Sequence, residues 1–449
     1  MNKLQSSTWY GLTPVFGRLP YRVAVAGAGV LTFLTTIIST QLITATPWLL
    51  AACATAPLFW MIYRGEPSEG IIIDPVAIAC AAFVGWAGLT LFWSPGGAEG
   101  FASWVRLCIF LSVTLVTRAA MGAIDPGARR AIGWAFVFAI GVASIVAFVD
   151  AGWNLTIRRF LMSVFGGARA ELGAVIERGW VVQLQSHETN KSMSVLFSLI
   201  WPGLLVAAAL VPGSIRRLAV IAVVVLFAIA AALSDNETVK LALAVSTVTF
   251  LLVRWRPDTT RWLLGVGWVT CTLAMLPMVL ALTTARVQEI DAIQDSGRHR
   301  LVIWGFVSRE VLKHPVLGSG LASTRQPRGG DGSPSVVDLG PSGKGWVAGT
   351  TVQPHNNFLQ VWNELGGVGA LLLCLAGLAL ARDIAETEAR IRPYYAAAFA
   401  GAAVLASLQW TINSSWYVAT FAITALFMRF GAELMETHTV RGSDDARPA

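Results

Sequence analysis

Charge is what this 449-residue chain has least of: Asp, Glu, Lys and Arg together make up 13% of it. Soluble domains carry about 25%. So few ions exclude a soluble enzyme, and a hydrophobic content of 55% excludes a disordered chain. Cysteine is also scarce. All five (Cys53, Cys80, Cys108, Cys271 and Cys374) fall in apolar stretches, none with the spacing of a zinc site or a disulfide framework. The 33 Lys and Arg outnumber the 26 acidic residues, an excess that fits a nucleic-acid surface only where it clusters. Here it lies between long apolar blocks. No nucleic-acid partner is expected, and membrane topology accounts for the basic excess.

About twelve apolar blocks run near residues 21–39, 42–63, 72–93, 101–120, 131–149, 192–212, 216–234, 238–253, 262–284, 357–381, 393–411 and 415–435. A span needs roughly 20 mostly apolar residues to cross about 30 Å of hydrocarbon. Backbone polar groups in lipid must pair within the segment, so the blocks are expected to be helices. The alternating pattern of a membrane barrel is absent. The expected fold class is an all-α polytopic membrane protein of about 12 transmembrane helices. The opening, MNKLQSSTWYGLTPVFGRLPYR, stays polar too long for a cleavable leader, so the first block is expected to remain as an anchor.

Retained Arg and Lys set the orientation. One alternate set of connections holds Arg64, Arg118, Arg129, Arg130, Arg216, Arg217, Arg254, Arg256, Arg261, Arg382, Arg390 and Arg392; the short loops of the other set hold only Lys240. Both termini are therefore expected in the cytoplasm. Two long connections, 150–191 and 285–356, fall in the outer set, and chemistry is expected there because long structureless loops are usually functional or disordered. The chain divides into 1–149 (helices 1–5), 150–191 (first outer segment), 192–284 (helices 6–9), 285–356 (large outer loop) and 357–449 (helices 10–12 and tail). A twelve-span carrier built from two six-span halves is the reading from another class. Against it, the sixth span is followed only by VPGSIRR, and intramembrane charges are few.

In the first outer segment Ile157, Phe160, Leu161, Val164 and Phe165 recur at helical spacing. The pattern predicts a helix lying in the bilayer interface, with Arg158 and Arg159 at phosphate level. Farther on come Arg178, His187, Asn190 and Lys191; Lys191 fits either a lipid phosphate or snorkelling to head groups. The second segment opens with Arg298, His299, Arg300 and Trp304, where Arg300 and Trp304 share a helical face. A stretch rich in Gly, Ser and Pro follows, without helical or strand periodicity, and reads as a flap. His355 then stands at the mouth of the tenth span. It fits a hydrogen-bonding residue at a helix start or a general base, since an imidazole titrates near pH 6.5. Neighbouring Arg would depress that value and keep the base free. Glu364 is about half a turn out of phase with His355, so bonding across helices in a structural role is expected of it.

The ordered motifs SGRHRLVIW, HPVLGSGLAST and HNNFLQVWNELGGVG resemble the O-antigen ligase family of bacterial inner-membrane glycosyltransferases. That family is related to O-antigen polymerases and protein O-oligosaccharyltransferases. HETNKSMSVLFSLIWP resembles the family's Asn-containing opening of a middle span, and SDNETVK stands where the family often has a Ser-Arg-Gly-like element, with Lys240 in question as its replacement. The resemblance implies a GT-C-like fold, N-in and C-in, with a periplasmic active site. It implies transfer of a preassembled glycan from undecaprenyl diphosphate to a sugar hydroxyl of lipid A–core oligosaccharide. On it, His355 is the base, while Arg300, Arg298, Lys191 and Arg178 hold the diphosphate; the interfacial helix and flap would gate lateral access. No cofactor is implied. No outer loop holds Asp-x-Asp, and His187, His299, His314 and His355 lack close ligand spacing, so no metal is expected. Ligase is preferred to polymerase on the HNNFLQVWNELG form, and to a protein O-oligosaccharyltransferase because the chain ends soon after its last span.

Overall fold

The computed structural model describes residues 44, 47–48, 74–121, 124, 126–165, 174–184, 189–211, 213–290, 293, 295–325, 335–338, 344–347, 354–409 and 411–444. The first expected span, Cys53 and all of the second expected span except residues 44 and 47–48 lie outside the described residues. The other ten blocks all fall on helices: α1 (Pro75–Leu89), α2 (Gly97–Ala120), α3 (Pro126–Gly152), α4 (Thr156–Phe165), α5 (Asn190–Leu210), α6 (Gly213–Leu233), α7 (Glu237–Trp255), α8 (Thr260–Val269), α9 (Met275–Thr284), α10 (Asp295–Val311), α11 (Asn357–Glu386), α12 (Arg392–Leu408) and α13 (Ser415–Asp444), with α4 and α10 supplied by the two outer segments. Among the described residues, 8 helical stretches are long and apolar enough to cross a membrane. The chain forms an all-α polytopic membrane fold. It divides into two compact units, one of residues 1–72, 113–240 and 422–449, the other of 73–112 and 241–421.

In the first unit α3 packs against α5 and α6. Helix α5 is buried almost all round, which suits its apolar residues on every face. Pro202 inside it can donate no bond to Ser198. The Thr424 hydroxyl donates to that Ser198 carbonyl at 3.2 Å, so the backbone acceptor is satisfied, as a water-free interior demands. Phe136 and Phe427 stack at 3.7 Å, and Arg129 pairs with Glu433 at 3.4 Å. The predicted amphipathic helix is α4, with Phe160 and Val164 exposed. Its arginines depart from expectation. Arg158 is buried and donates to the Ser192 hydroxyl at 2.6 Å, and Arg159 donates to the Val182 carbonyl at 2.5 Å. The reason is Asp150 at the end of α3, whose carboxylate accepts the backbone N–H groups of Ile157 at 2.8 Å and Arg158 at 3.2 Å. It turns the start of α4 so that both guanidinium groups tie the segment together. Strands β1 (Val175–Glu177) and β2 (Trp180–Gln183) form a hairpin in this segment, which periodicity did not reveal because the strands have only three and four residues.

In the second unit α11 is the central element. It packs against α1, α8, α10 and α12. A π-turn at Thr270–Ala274 joins α8 to α9, and the Thr272 carbonyl in that turn accepts the Trp362 indole N–H at 2.8 Å. Helix α11 is broken at Gly366, with φ +66° and ψ −167°. The break is bridged by residues 314–324. Ser319 and Gly320 donate to the Asn363 and Glu364 carbonyls at 2.8 Å each, while Gly367 and Val368 donate to the Pro315 and Val316 carbonyls at 2.9 and 3.2 Å. Such close backbone approach explains the glycines of this strap: a Cβ on Gly366 would overlap the Val316 carbonyl, and one on Gly318 would overlap the Glu364 carbonyl. Part of the Gly/Ser/Pro-rich stretch, expected to lack strands, holds β3 (Ser335–Asp338) paired antiparallel with β4 (Lys344–Val347).

Two substitutions test this architecture. Gly366→Ala places a side chain in left-handed backbone and against a carbonyl, and is expected to cost about 2–5 kcal/mol. Ala at Gly179, whose left-handed backbone has open space around it, should cost only the backbone share. Denaturant unfolding in detergent compares them; equal losses would contradict the bridged break.

Candidate functional site

His355 directly precedes the cap of α11. Asn356 is that cap: its side-chain oxygen accepts the Leu359 N–H at 2.9 Å, and its amide donates to the Met275 sulfur at 3.1 Å. The N-cap bond satisfies one of the orphan donors of the helix start. His355 itself sits in left-handed backbone, at φ +49°, a conformation sparse for a non-glycine residue and a pointer to function. What holds it there is visible on both sides. The Trp304 indole N–H, from α10, donates to the Pro354 carbonyl at 2.6 Å. The imidazole bonds to the backbone carbonyl of Gln409, which also accepts the Tyr417 hydroxyl at 3.0 Å.

Arg300 lies one helical turn before Trp304 on α10, near enough to His355 and Tyr417 for its charge to act on both. His355 is exposed to solvent at its edge, yet enough protein surrounds the ring that loss of hydration is the main influence on it. Dehydration depresses its pKa below the ordinary 6.5, the Arg300 charge depresses it further, the Gln409 carbonyl acts in the opposite sense, and His299 adds a small lowering. Arginine was the expected cause; burial comes first and Arg300 second. Burial also lowers the pKa of Arg300, which stays cationic because guanidinium groups do not lose their proton in proteins.

Below the helix mouth Glu364 is fully buried. Its carboxylate accepts from the Ala322 N–H at 2.8 Å, the Gln360 amide at 2.9 Å, the Asn413 amide at 3.0 Å and the Thr324 hydroxyl. Gln360 in turn accepts from Thr411 at 2.6 Å and the Ile412 N–H at 3.2 Å. The structural role expected for Glu364 is what these bonds describe.

The remaining expected residues are placed as follows. Arg298 is buried within α10, two residues before Arg300. Lys191 and Arg178 belong to the first unit: Lys191 is exposed in the first turn of α5, and Arg178 is exposed in the two-residue turn between β1 and β2, at φ +50°. Lys240 pairs with Glu237 at 2.8 Å. Among the described residues no three His, Cys, Asp or Glu gather as metal ligands. Gln409 and Tyr417 were missed by sequence reasoning. They lie more than fifty residues beyond His355, and only the polar run between α12 and α13 hinted at them.

Residues 220–374 match the model of a family described as O-Antigen ligase. A provisionally named polysaccharide ligase of Rickettsia conorii (strain ATCC VR-613 / Malish 7) is 28% identical over 211 residues, covering 46% of this chain and 49% of that protein. One from Rickettsia prowazekii (strain Madrid E) is 30% identical over 145 residues, 32% of this chain and 35% of that protein. One from Rickettsia felis (strain ATCC VR-1525 / URRWXCal2) is 26% identical over 213 residues, 46% and 50%. The chain spans about half or less of the length of these curated relatives. The matched region contains Arg298, Arg300, Trp304, His355 and Glu364.

The electrostatics of the site predict a titration. With its pKa depressed, His355 is neutral at pH 7 and protonates only as the pH falls below 6.5. Arg300→Met removes one depressing charge, so the midpoint rises toward 6.5. Imidazole NMR signals of isotope-labelled protein in detergent report both; a midpoint unmoved by the substitution would separate the two side chains.

Proposed function

We propose that the protein is an O-antigen ligase. It transfers a preassembled polysaccharide from undecaprenyl diphosphate to a sugar hydroxyl of lipid A–core oligosaccharide, in lipopolysaccharide biosynthesis. It resides in the bacterial inner membrane, with both termini in the cytoplasm and the site on the periplasmic face. The observation that carries the reading is His355 in left-handed backbone at the mouth of α11, with Arg300 on α10 near enough for its charge to act on the ring, within motifs ordered as in the family.

The chemistry follows from those two groups. Arg300 binds diphosphate oxygens in a bidentate, charge-assisted manner, with Arg298 on the same helix as a further phosphate-binding group. His355 takes the proton of the acceptor hydroxyl. The acceptor oxygen then bonds to the anomeric carbon as the sugar–phosphate bond breaks, and the electron pair leaves with the diphosphate, stabilised by guanidinium rather than by a metal. A single displacement inverts the anomeric configuration. Arg300 has a second effect. Its charge weakens His355 as a base in the empty site, and bound diphosphate offsets that charge, so the imidazole becomes more basic when donor is in place.

His355→Ala, assayed with purified undecaprenyl-diphosphate-linked glycan and lipid A–core acceptor, should lower turnover by about 10²–10⁴-fold. Turnover near that of the unmodified protein would remove the base. Mass analysis of the product separates the related activities: a whole polymer on core marks a ligase, whereas glycan lengthened on its carrier marks a polymerase.

A further inference from the structure

The His355 ring is fixed by groups that themselves have no part in the transfer as described above. Three observations converge on it. The residue sits in left-handed backbone at φ +49° without being glycine, a state that persists only where its surroundings determine it. The carbonyl of the preceding Pro354 is held by the Trp304 indole at 2.6 Å, and that indole is buried. On the other side, the Gln409 carbonyl lies at the end of α12, where helix carbonyls lack an intrahelical donor. It receives both the Tyr417 hydroxyl at 3.0 Å and the imidazole.

We propose that Trp304 and Tyr417 are positioning residues: Trp304 fixes the backbone that presents His355, and Tyr417 fixes the Gln409 carbonyl that selects the imidazole tautomer. The proposal rests on His355 acting as the base. A neutral imidazole has one N–H and one acceptor nitrogen, and the bond made by the first decides which nitrogen remains to take a proton. A ring N–H that donates to the Gln409 carbonyl leaves the opposite nitrogen as the acceptor. Tyr417 is buried, and its bond to the same carbonyl keeps that oxygen from turning to solvent. Trp304 works at a different point. Without its N–H, the Pro354 carbonyl loses the indole donor and the left-handed turn at His355 loses a restraint. Neither residue needs to touch the glycan.

Trp304→Phe and Tyr417→Phe keep an aromatic ring and remove one donor each. The same purified lipid-linked donor and acceptor serve as probes. Each variant is expected to lower kcat by about 10- to 100-fold, the scale of misplacing a reacting group by about 1 Å, with KM for the donor within about twofold of the parent. A group that merely supported the fold would not produce the accompanying spectroscopic change. Nitrogen-15 NMR of labelled imidazole should show one dominant His355 tautomer in the parent at pH 8 and a mixture in Tyr417→Phe. Parent-like kcat and an unchanged tautomer in both variants, with His355→Ala inactive, would overturn the positioning roles and leave the base intact. Full turnover in His355→Ala would overturn both. Should Trp304→Phe fail to fold, Tyr417→Phe decides by the tautomer signal, which requires no turnover.

Discussion

The second unit depends on a carboxylate placed where no water reaches it. Glu364 is fully buried in a helix that otherwise has the composition of a membrane span, and a buried ion is tolerated only when its oxygens are bonded. Four donors do this. They come from the strap that follows α10 (Ala322 and Thr324), from α11 itself (Gln360) and from the turn before α13 (Asn413). Three segments remote in sequence are thereby fixed to one point. The break at Gly366 next to that point frees backbone groups, and the strap supplies their partners.

The consequence reaches the helix mouth about two turns away. With α11 held at Glu364, its cap Asn356 and the preceding His355 have a fixed base. Helix α10 is joined to the same structure at its far end by the strap, and from there Trp304 reaches Pro354 while Arg300 takes its place one turn earlier. A polar network within a span and a reactive-looking ring outside it are therefore parts of one construction. The tryptophans extend the same principle. Trp86, Trp268 and Trp362 each donate to a backbone carbonyl of another element, at 2.9, 3.0 and 2.8 Å, so each indole N–H finds its partner within the protein.

Much of this was legible in the amino-acid sequence, for definable reasons. Spans announce themselves because lipid allows few alternatives to an apolar helix, and each expected block among the described residues is helical. The amphipathic helix α4 was legible from Ile157, Phe160 and Val164 at regular spacing. Its arginines were misplaced because Asp150, seven or more residues earlier, redirects them through bonds that periodicity does not encode. The hairpins escaped notice because three or four residues cannot establish alternation. Arg300 and His355 came to attention through motif order. Gln409 and Tyr417 did not, since a carbonyl leaves no sequence signature and a tyrosine at the start of an apolar helix looks like an interfacial anchor. The function of the strap glycines also became readable only once the break at Gly366 was seen, because their requirement comes from contacts with another segment.

The central claim is a division of labour: Arg300 holds the diphosphate and His355 moves the proton. Binding of undecaprenyl diphosphate without glycan to the detergent-solubilised protein, measured by titration calorimetry, tests it most directly. Arg300→Met should weaken binding at least tenfold, while His355→Ala should bind as well as or better than the parent. The reverse order, with the histidine variant losing affinity and the arginine variant keeping it, would contradict the account.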